Sequence, residues 1–363
     1  MIEIAVKELK PGMKTAQAIQ TPRGQIIISK DQILTSALIN RIAFYSIPKI
    51  FIYSPVSQKA PEPVPAKRVS QQPVYSQQVK QSSEFRQFQL EYAKRMATCK
   101  EMFDRVQRGD GIEPNTLYGN LRHLMEPIQT SIQLFDMLHN IRQVDDSIYA
   151  HCLNVALISF SIGNWLKLPA PDIETLTVAG LMHDIGKTQI PDEILNKPGK
   201  YTDEEFALVK SHPRLGYEML KDLNVDYRIK KVALMHHERC DGTGYPAGIT
   251  QEYIDDFALI VAIADVYDAM TAARAYREPL CAFQVIDSFE KDGLHKYKPK
   301  YILTFLKRIV NAYQSNRVML SNGKSGNIVF INDKALAKPI VELSDGTFID
   351  LSKDHSVSIV ATL

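Results

Sequence analysis

Tryptophan occurs once and cysteine four times in 363 residues, and neither sign of charge dominates. Lysine and arginine number 43 against 41 aspartates and glutamates, a formal net charge of +2. That balance leaves no footprint for non-specific nucleic-acid binding. Cys99, Cys152, Cys240 and Cys281 lie far apart with no paired spacing, which excludes a disulfide framework or a thiolate zinc site and points to free thiols in a reducing cytoplasm. No apolar run reaches the ~18 to 20 residues of a membrane helix. The longest candidate, Phe257 to Met270, carries Asp265 and Asp268. The start, Met1-Ile-Glu-Ile-Ala-Val-Lys-Glu, lacks the basic and apolar regions of a signal peptide.

What is present divides the chain. Residues 1–53 read as a small β-rich module, with strands over Ile2–Val6, Gln25–Ser29 and Lys49–Tyr53 and a short helix over Ser36–Tyr45. Residues 54–81 hold five prolines and six glutamines and bury little, so 54–82 reads as a linker. From 83 to 144 two apolar stripes recur at helical spacing. Phe85, Phe88, Tyr92, Met96, Cys99, Phe103 and Val106 form one, and Leu117, Leu121, Leu124, Ile128, Ile132, Phe135 and Leu138 the other. They fit a helical hairpin or a homodimerisation pair. Residues 145–315 continue as helix after helix, with a capping box at Thr202 to Glu205. After 316, strands at Arg317–Leu320, Asn327–Ile331, Pro339–Leu343, Thr347–Leu351 and Ser356–Ala361 make a short β element. The fold class is mainly α.

Five of the nine histidines punctuate the middle helices: His151, His183, His212, His236 and His237. His183-Asp184 and His236-His237 each close an apolar helix. Neighbouring residues at a helix end point ~100° apart, so one end can serve two adjacent metal ions, and the two oxygens of Asp184 can bridge them. Asp265 sits inside the most apolar helix, where a carboxylate needs a cation or strong donors. Imidazoles and carboxylates without thiolates suit a hard or borderline metal such as iron or manganese. Two metals ~3.5 to 4 Å apart form a clamp for attack of hydroxide on a phosphoester. Lys187 is placed to add a cation to a phosphate oxygen. The glycine-rich loop after His237 forms a substrate wall or a partner surface, in which Tyr245 can stack on a nucleobase. Arg274 and Arg277 can hold a second phosphate.

These residues resemble a known family. His183-Asp184-Ile185-Gly186-Lys187 and His236-His237-Glu238-Arg239-Cys240-Asp241-Gly242-Thr243-Gly244-Tyr245-Pro246 look like the two signatures of the HD-GYP domain, a branch of the HD phosphohydrolase superfamily. Asp265 to Thr271, followed by Arg274 and Arg277, resembles its third block. The resemblance spans Asp145 to Leu280 and implies an all-helical metal-dependent phosphodiesterase that hydrolyses cyclic di-GMP to linear pGpG, in some members onward to GMP. It implies the ligands His151, His183, Asp184, His212, His236, His237 and Asp265, with Asp184 bridging and Lys187, Arg274 and Arg277 on substrate. Three-metal members carry a glutamate four residues before the first histidine, where this chain has Ser147. Ser147 reads as a helix cap, so two divalent metals and pGpG are expected. The alternatives are a weakly active module that binds a partner such as a cyclase domain through the Tyr245 loop, and a hydrolase for dNTPs or a hybrid cyclic dinucleotide.

Overall fold

The computed structural model describes the chain except residues 21–25, 36–37, 40–41, 43–46, 54–81, 127, 129, 142–146, 198, 273–279 and 315. Two compact units emerge: Met1–Val74 with Asn140–Asp146, and Tyr75–His139 with Ser147–Leu363.

In the first unit β1 (Ile2–Ala5), β2 (Ile19–Gln20), β3 (Ile26–Ile28) and β4 (Lys49–Ile52) form two antiparallel pairs, β1 with β4 and β2 with β3. The period-two alternation of β4 turns Ile50 and Ile52 inward, where they join Val6, Leu9, Ile19, Ile28, Leu34 and Ile42. Thr15 is fully buried, and its hydroxyl donates to the Ser29 carbonyl and accepts from the Gln32 amide, both at 2.9 Å. Most of the helix expected over Ser36–Tyr45 and the linker over 54–81 lie outside the described residues.

The second unit opens with α1 (Ser83–Gln107), capped by Ser82, whose hydroxyl accepts from the Phe85 amide at 3.0 Å. Its whole expected stripe, Phe85 through Val106, is buried. The second stripe is carried by two helices rather than one, α2 (Pro114–Met125) and α3 (Ser131–Ile141). The first of them ends at its cap, Glu126, whose amide still donates to the Arg122 carbonyl at 3.0 Å. The hairpin also packs on the helices that follow. Tyr92 Oη donates to the Asn154 side-chain oxygen (2.6 Å) of α4 (Ile148–Trp165) and lies 3.0 Å from the Ala150 carbonyl.

Then come α5 (Ala170–Met182), α6 (Asp192–Leu195), α7 (Asp203–Val209), α8 (His212–Leu220), α9 (Tyr227–Met235), α10 (Asp256–Thr271), α11 (Ala282–Lys296) and α12 (Pro299–Ala312). The capping box at the start of α7 forms as expected. Helices α4, α5 and α10 are apolar almost all round, as buried central helices must be. Arg228 at the start of α9 bonds Asp172 of α5 at 2.7 Å and stacks over the Phe257 ring of α10 at 4.6 Å, tying three helices together. A five-stranded antiparallel sheet closes the unit: β5 (Arg317–Leu320), β6 (Ser325–Asn332), β7 (Ala335–Leu343), β8 (Phe348–Asp350) and β9 (Ile359–Thr362), in the order β8-β7-β6-β5-β9. Glu290 of α11 anchors it by accepting from the Leu336 (2.7 Å) and Ala337 (3.0 Å) amides. Among the described residues, no helix is long and apolar enough to cross a membrane.

Candidate metal centre

The buried centre of the second unit collects side chains from five places. His151 lies in the first turn of α4, behind Ser147, whose hydroxyl accepts from the Ala150 amide at 3.3 Å as the helix cap. His183 ends α5, and Asp184 follows it into a 3₁₀ turn, Ile185–Gln189. His212 starts α8. His236 and His237 follow the last turn of α9, and Asp265 lies within α10. Gly186 is what allows the approach. A Cβ there would fall 2.0 Å from the His212 carbonyl oxygen, so a side chain would push α8 and its histidine away from Asp184.

All seven expected ligands come together in two groups, Asp184 with His212, His236 and His237, and His151 with His183 and Asp265. Within each group, one ligand atom per residue lies within 4.8 Å of the others. Asp184 reaches both. Its Oδ1 is 3.1 Å from His212 Nε2 and 3.5 Å from His236 Nε2, and its Oδ2 is 3.4 Å from the Nε2 atoms of His151 and His183. Asp265 Oδ1 is 3.1 Å from His151 Nε2.

Proton positions test whether these donors fit a metal. His183 Nδ1 lies 2.8 Å from the Gly180 carbonyl, His212 Nδ1 2.6 Å from Val209, and His236 Nδ1 3.0 Å from Val232. A carbonyl only accepts, so each Nδ1 carries the proton and each Nε2 turns a lone pair inward. His183 Nε2 and Asp184 Oδ1 are buried with no hydrogen-bond partner. Converging lone pairs beside carboxylates fit a cation, and nitrogen and oxygen donors suit a divalent transition metal. Cys240 belongs to neither group.

Electrostatics agree. Burial would raise Asp184, but Lys187 and the surrounding histidines outweigh it and hold the carboxyl well below the ordinary range. Burial, with His183 and His212 nearby, pushes His236 down to about 4, which keeps it neutral and ready to bind metal. His151 goes the other way. Burial lowers it, yet Asp184, Asp265 and Asp268 together raise it well above the usual imidazole range. Three carboxylates around one ring attract positive charge, whether proton or metal.

Lys187 lies on Asp184, its Nζ donating to Oδ2 at 2.5 Å, with a quarter of the side chain exposed. Tyr245 stacks on a ligand. Its ring lies 4.6 Å from that of His237 at 26°, so one face is already covered. Arg274 and Arg277 lie outside the described residues.

Two further residues join the site. Asp268 receives a hydrogen bond from His151 Nδ1 at 2.8 Å and so orients that ring. The signal was available, because Asp268 sits one turn beyond Asp265 in the same apolar helix and is equally costly to bury unpartnered. Glu238 is 1% exposed beside the histidine pair and holds the following loop.

Residues 128–301 match the family model of the HD domain. This segment is similar to that family, and its His183 to Lys187 and His236 to Pro246 stretches are the ones that resemble the HD-GYP branch. The chain is 38% identical over 207 residues to a cyclic di-GMP phosphodiesterase of Pseudomonas aeruginosa, covering 57% of this chain and 50% of that protein. It is 30% identical over 188 residues to a 3'3'-cGAMP-specific phosphodiesterase of Vibrio cholerae, covering 51% of this chain and 36% of that one. It therefore spans half or less of the length of these relatives. The solved structure of an HDG"Y"P protein from Bdellovibrio bacteriovorus matches 84% of this chain and 97% of its own at a TM-score of 0.54 and 17% identity, a likeness of fold.

Proposed function

We propose that the chain is a metal-dependent phosphodiesterase that cleaves cyclic di-GMP to linear pGpG at a two-metal centre. The observation that carries this reading is the pair of ligand groups joined by Asp184, beside the cation of Lys187. His151, His183 and Asp265 would hold one ion and His212, His236 and His237 the other, with Asp184 between them. When bound, divalent ions, iron or manganese by the donor set, supply Lewis acidity and an activated water for phosphodiester hydrolysis.

The chain's own residues do the rest. The backbone carbonyls of Gly180, Val209 and Val232 hold three imidazoles in the tautomer that binds metal. Asp268 does the same for His151. Lys187 sits where a phosphate oxygen would approach Asp184, and its partly exposed ammonium offsets charge that grows on the phosphoryl group. Arg274 and Arg277 are proposed to grip the second phosphate. Tyr245 and its loop form a wall next to His237.

A second substrate, a hybrid cyclic dinucleotide, is favoured by the similarity to the 3'3'-cGAMP-specific enzyme. The test is protein purified without oxygen, analysed for metal and assayed on the same sample with cyclic di-GMP and 3'3'-cGAMP. Turnover of cyclic di-GMP to pGpG with two metals per chain is expected. Preferred turnover of 3'3'-cGAMP would select the second substrate, and a metal-loaded protein inert to both would leave a binding module.

A further inference from the structure

Four of the five ligand histidines have their second ring nitrogen held by a hydrogen bond, to Gly180, Val209, Val232 or Asp268. Among the described residues, His237 has no such bond, and its Nδ1 lies 3.8 Å from Asp265 Oδ2. Its ring is held by the flat face of Tyr245 at 4.6 Å, and the His237 carbonyl accepts from the Tyr245 amide at 3.2 Å. Tyr245 is the part of this ring's surroundings that the loop supplies, so the loop's position bears on the orientation of this ligand.

The loop is fixed from underneath. Glu238 is buried next to His237, and its two oxygens accept from the Ala247 (2.7 Å) and Ile249 (3.2 Å) amides on the far side of Tyr245. A buried carboxylate bonded to backbone amides is a strong, directional clamp. Gly244 completes it. A Cβ there would lie 2.4 Å from the Glu238 Cα and 2.5 Å from the His237 carbonyl oxygen, so the loop lies directly on the backbone that carries the ligand. Glu238 faces the loop amides and belongs to neither ligand group.

We propose that Glu238 is a positioning residue for the metal centre: it clamps residues 244–249 so that Tyr245 holds the His237 ring in its binding orientation. The inference rests on the metal-centre reading above. Its consequence is selective. The group of Asp184, His212, His236 and His237 depends on the clamp, while the group of His151, His183 and Asp265 does not.

The test measures manganese content and affinity of the full chain by titration and elemental analysis. Glu238→Gln keeps one acceptor and sets a donor against the second amide, so it should weaken one of the two ions about 10- to 100-fold, the range for lost ligand-orienting partners, and leave the other in place. Tyr245→Ala should reproduce the loss, and Tyr245→Phe, which keeps the stacking face, should retain the ion. The double variant Glu238→Gln with Tyr245→Ala should be no weaker than Tyr245→Ala alone. Faster amide exchange at Ala247 and Ile249 in Glu238→Gln reports the loosened loop directly. Unchanged affinity for both ions in Glu238→Gln, in protein whose native form binds two, overturns the inference alone. Native protein that binds no metal overturns the reading beneath it. Loss of turnover at full metal content in Glu238→Gln would make Glu238 a proton-transfer group and would equally refute the clamp.

Discussion

His212 Nε2 and His236 Nε2 stand 3.2 Å apart, each ring donating its Nδ1 proton to a backbone carbonyl. Two lone pairs at that separation repel unless a cation lies between or beside them. A divalent cation beside them would take up both lone pairs. Ions binding the folded chain at ~1,000 times their dissociation constant add about 4 kcal/mol of stability. Chelation should lower the melting temperature, and readdition of manganese or iron should restore it. A melting temperature indifferent to metal would count against both groups as metal sites.

Lys187 is proposed as the substrate-facing member of the set, although its Nζ lies on Asp184. Lys187→Ala should leave metal content unchanged, because no ligand atom is removed. It should cost about 2 to 4 kcal/mol of transition-state stabilisation, the scale of a lost oxyanion donor. Single-turnover rates with metal analysis on the same sample separate the outcomes. Metal lost together with activity would recast Lys187 as the counter-ion that keeps Asp184 charged.

Arg228 offers a stability test away from the chemistry. It bonds Asp172 at 2.7 Å and Asp226 at 2.8 Å and covers Phe257. Arg228→Ala leaves two partly buried carboxylates without their cation, at a cost of about 2 kcal/mol by denaturant unfolding. The hydrogen bonds from Arg228 hold Asp226 below its usual 3.8. A lowered carboxyl contributes stability above its unfolded value and loses it as pH falls through the folded value. The gap between native and variant should thus be constant above about pH 5 and narrow below pH 4. A gap that widens in acid would show that the pair acts by other means.

How much of this was legible beforehand follows from where each signal lives. The candidate ligands were legible because histidine and aspartate at the ends of apolar helices are costly without a cation, and chain position alone exposes them. The C-terminal strands were legible from Asn322-Gly323 and Asp345-Gly346 turns between β-branched runs, and each observed strand overlaps its expected range within a few residues. The break between α2 and α3 was missed because the apolar periodicity runs on from Leu124 to Ile128 and Ile132 without a gap. The contact of the Tyr245 ring with His237 joins residues eight apart, which no spacing rule reports. The clamp by Glu238 was hidden for the same reason, since a glutamate beside two ligands reads first as chemistry.

Metal count is the point on which the chain should differ from three-metal relatives. A third ion would need a carboxylate where Ser147 stands, and the Ser147 hydroxyl is already engaged as the cap of α4, 3.3 Å from the Ala150 amide. A neutral hydroxyl does not balance a divalent charge. Asp145 and Asp146 lie outside the described residues, so the test is experimental. Elemental analysis of protein purified without oxygen should give two ions per chain, with pGpG accumulating. Ser147→Glu is the constructive variant. It loses a cap worth about 1 kcal/mol and places a carboxylate one turn before His151, on the same face of the helix. It should raise the count towards three and carry hydrolysis on to GMP. Three full occupancies in the native protein would refute the two-metal assignment and make Asp145 and Asp146 the first residues to replace.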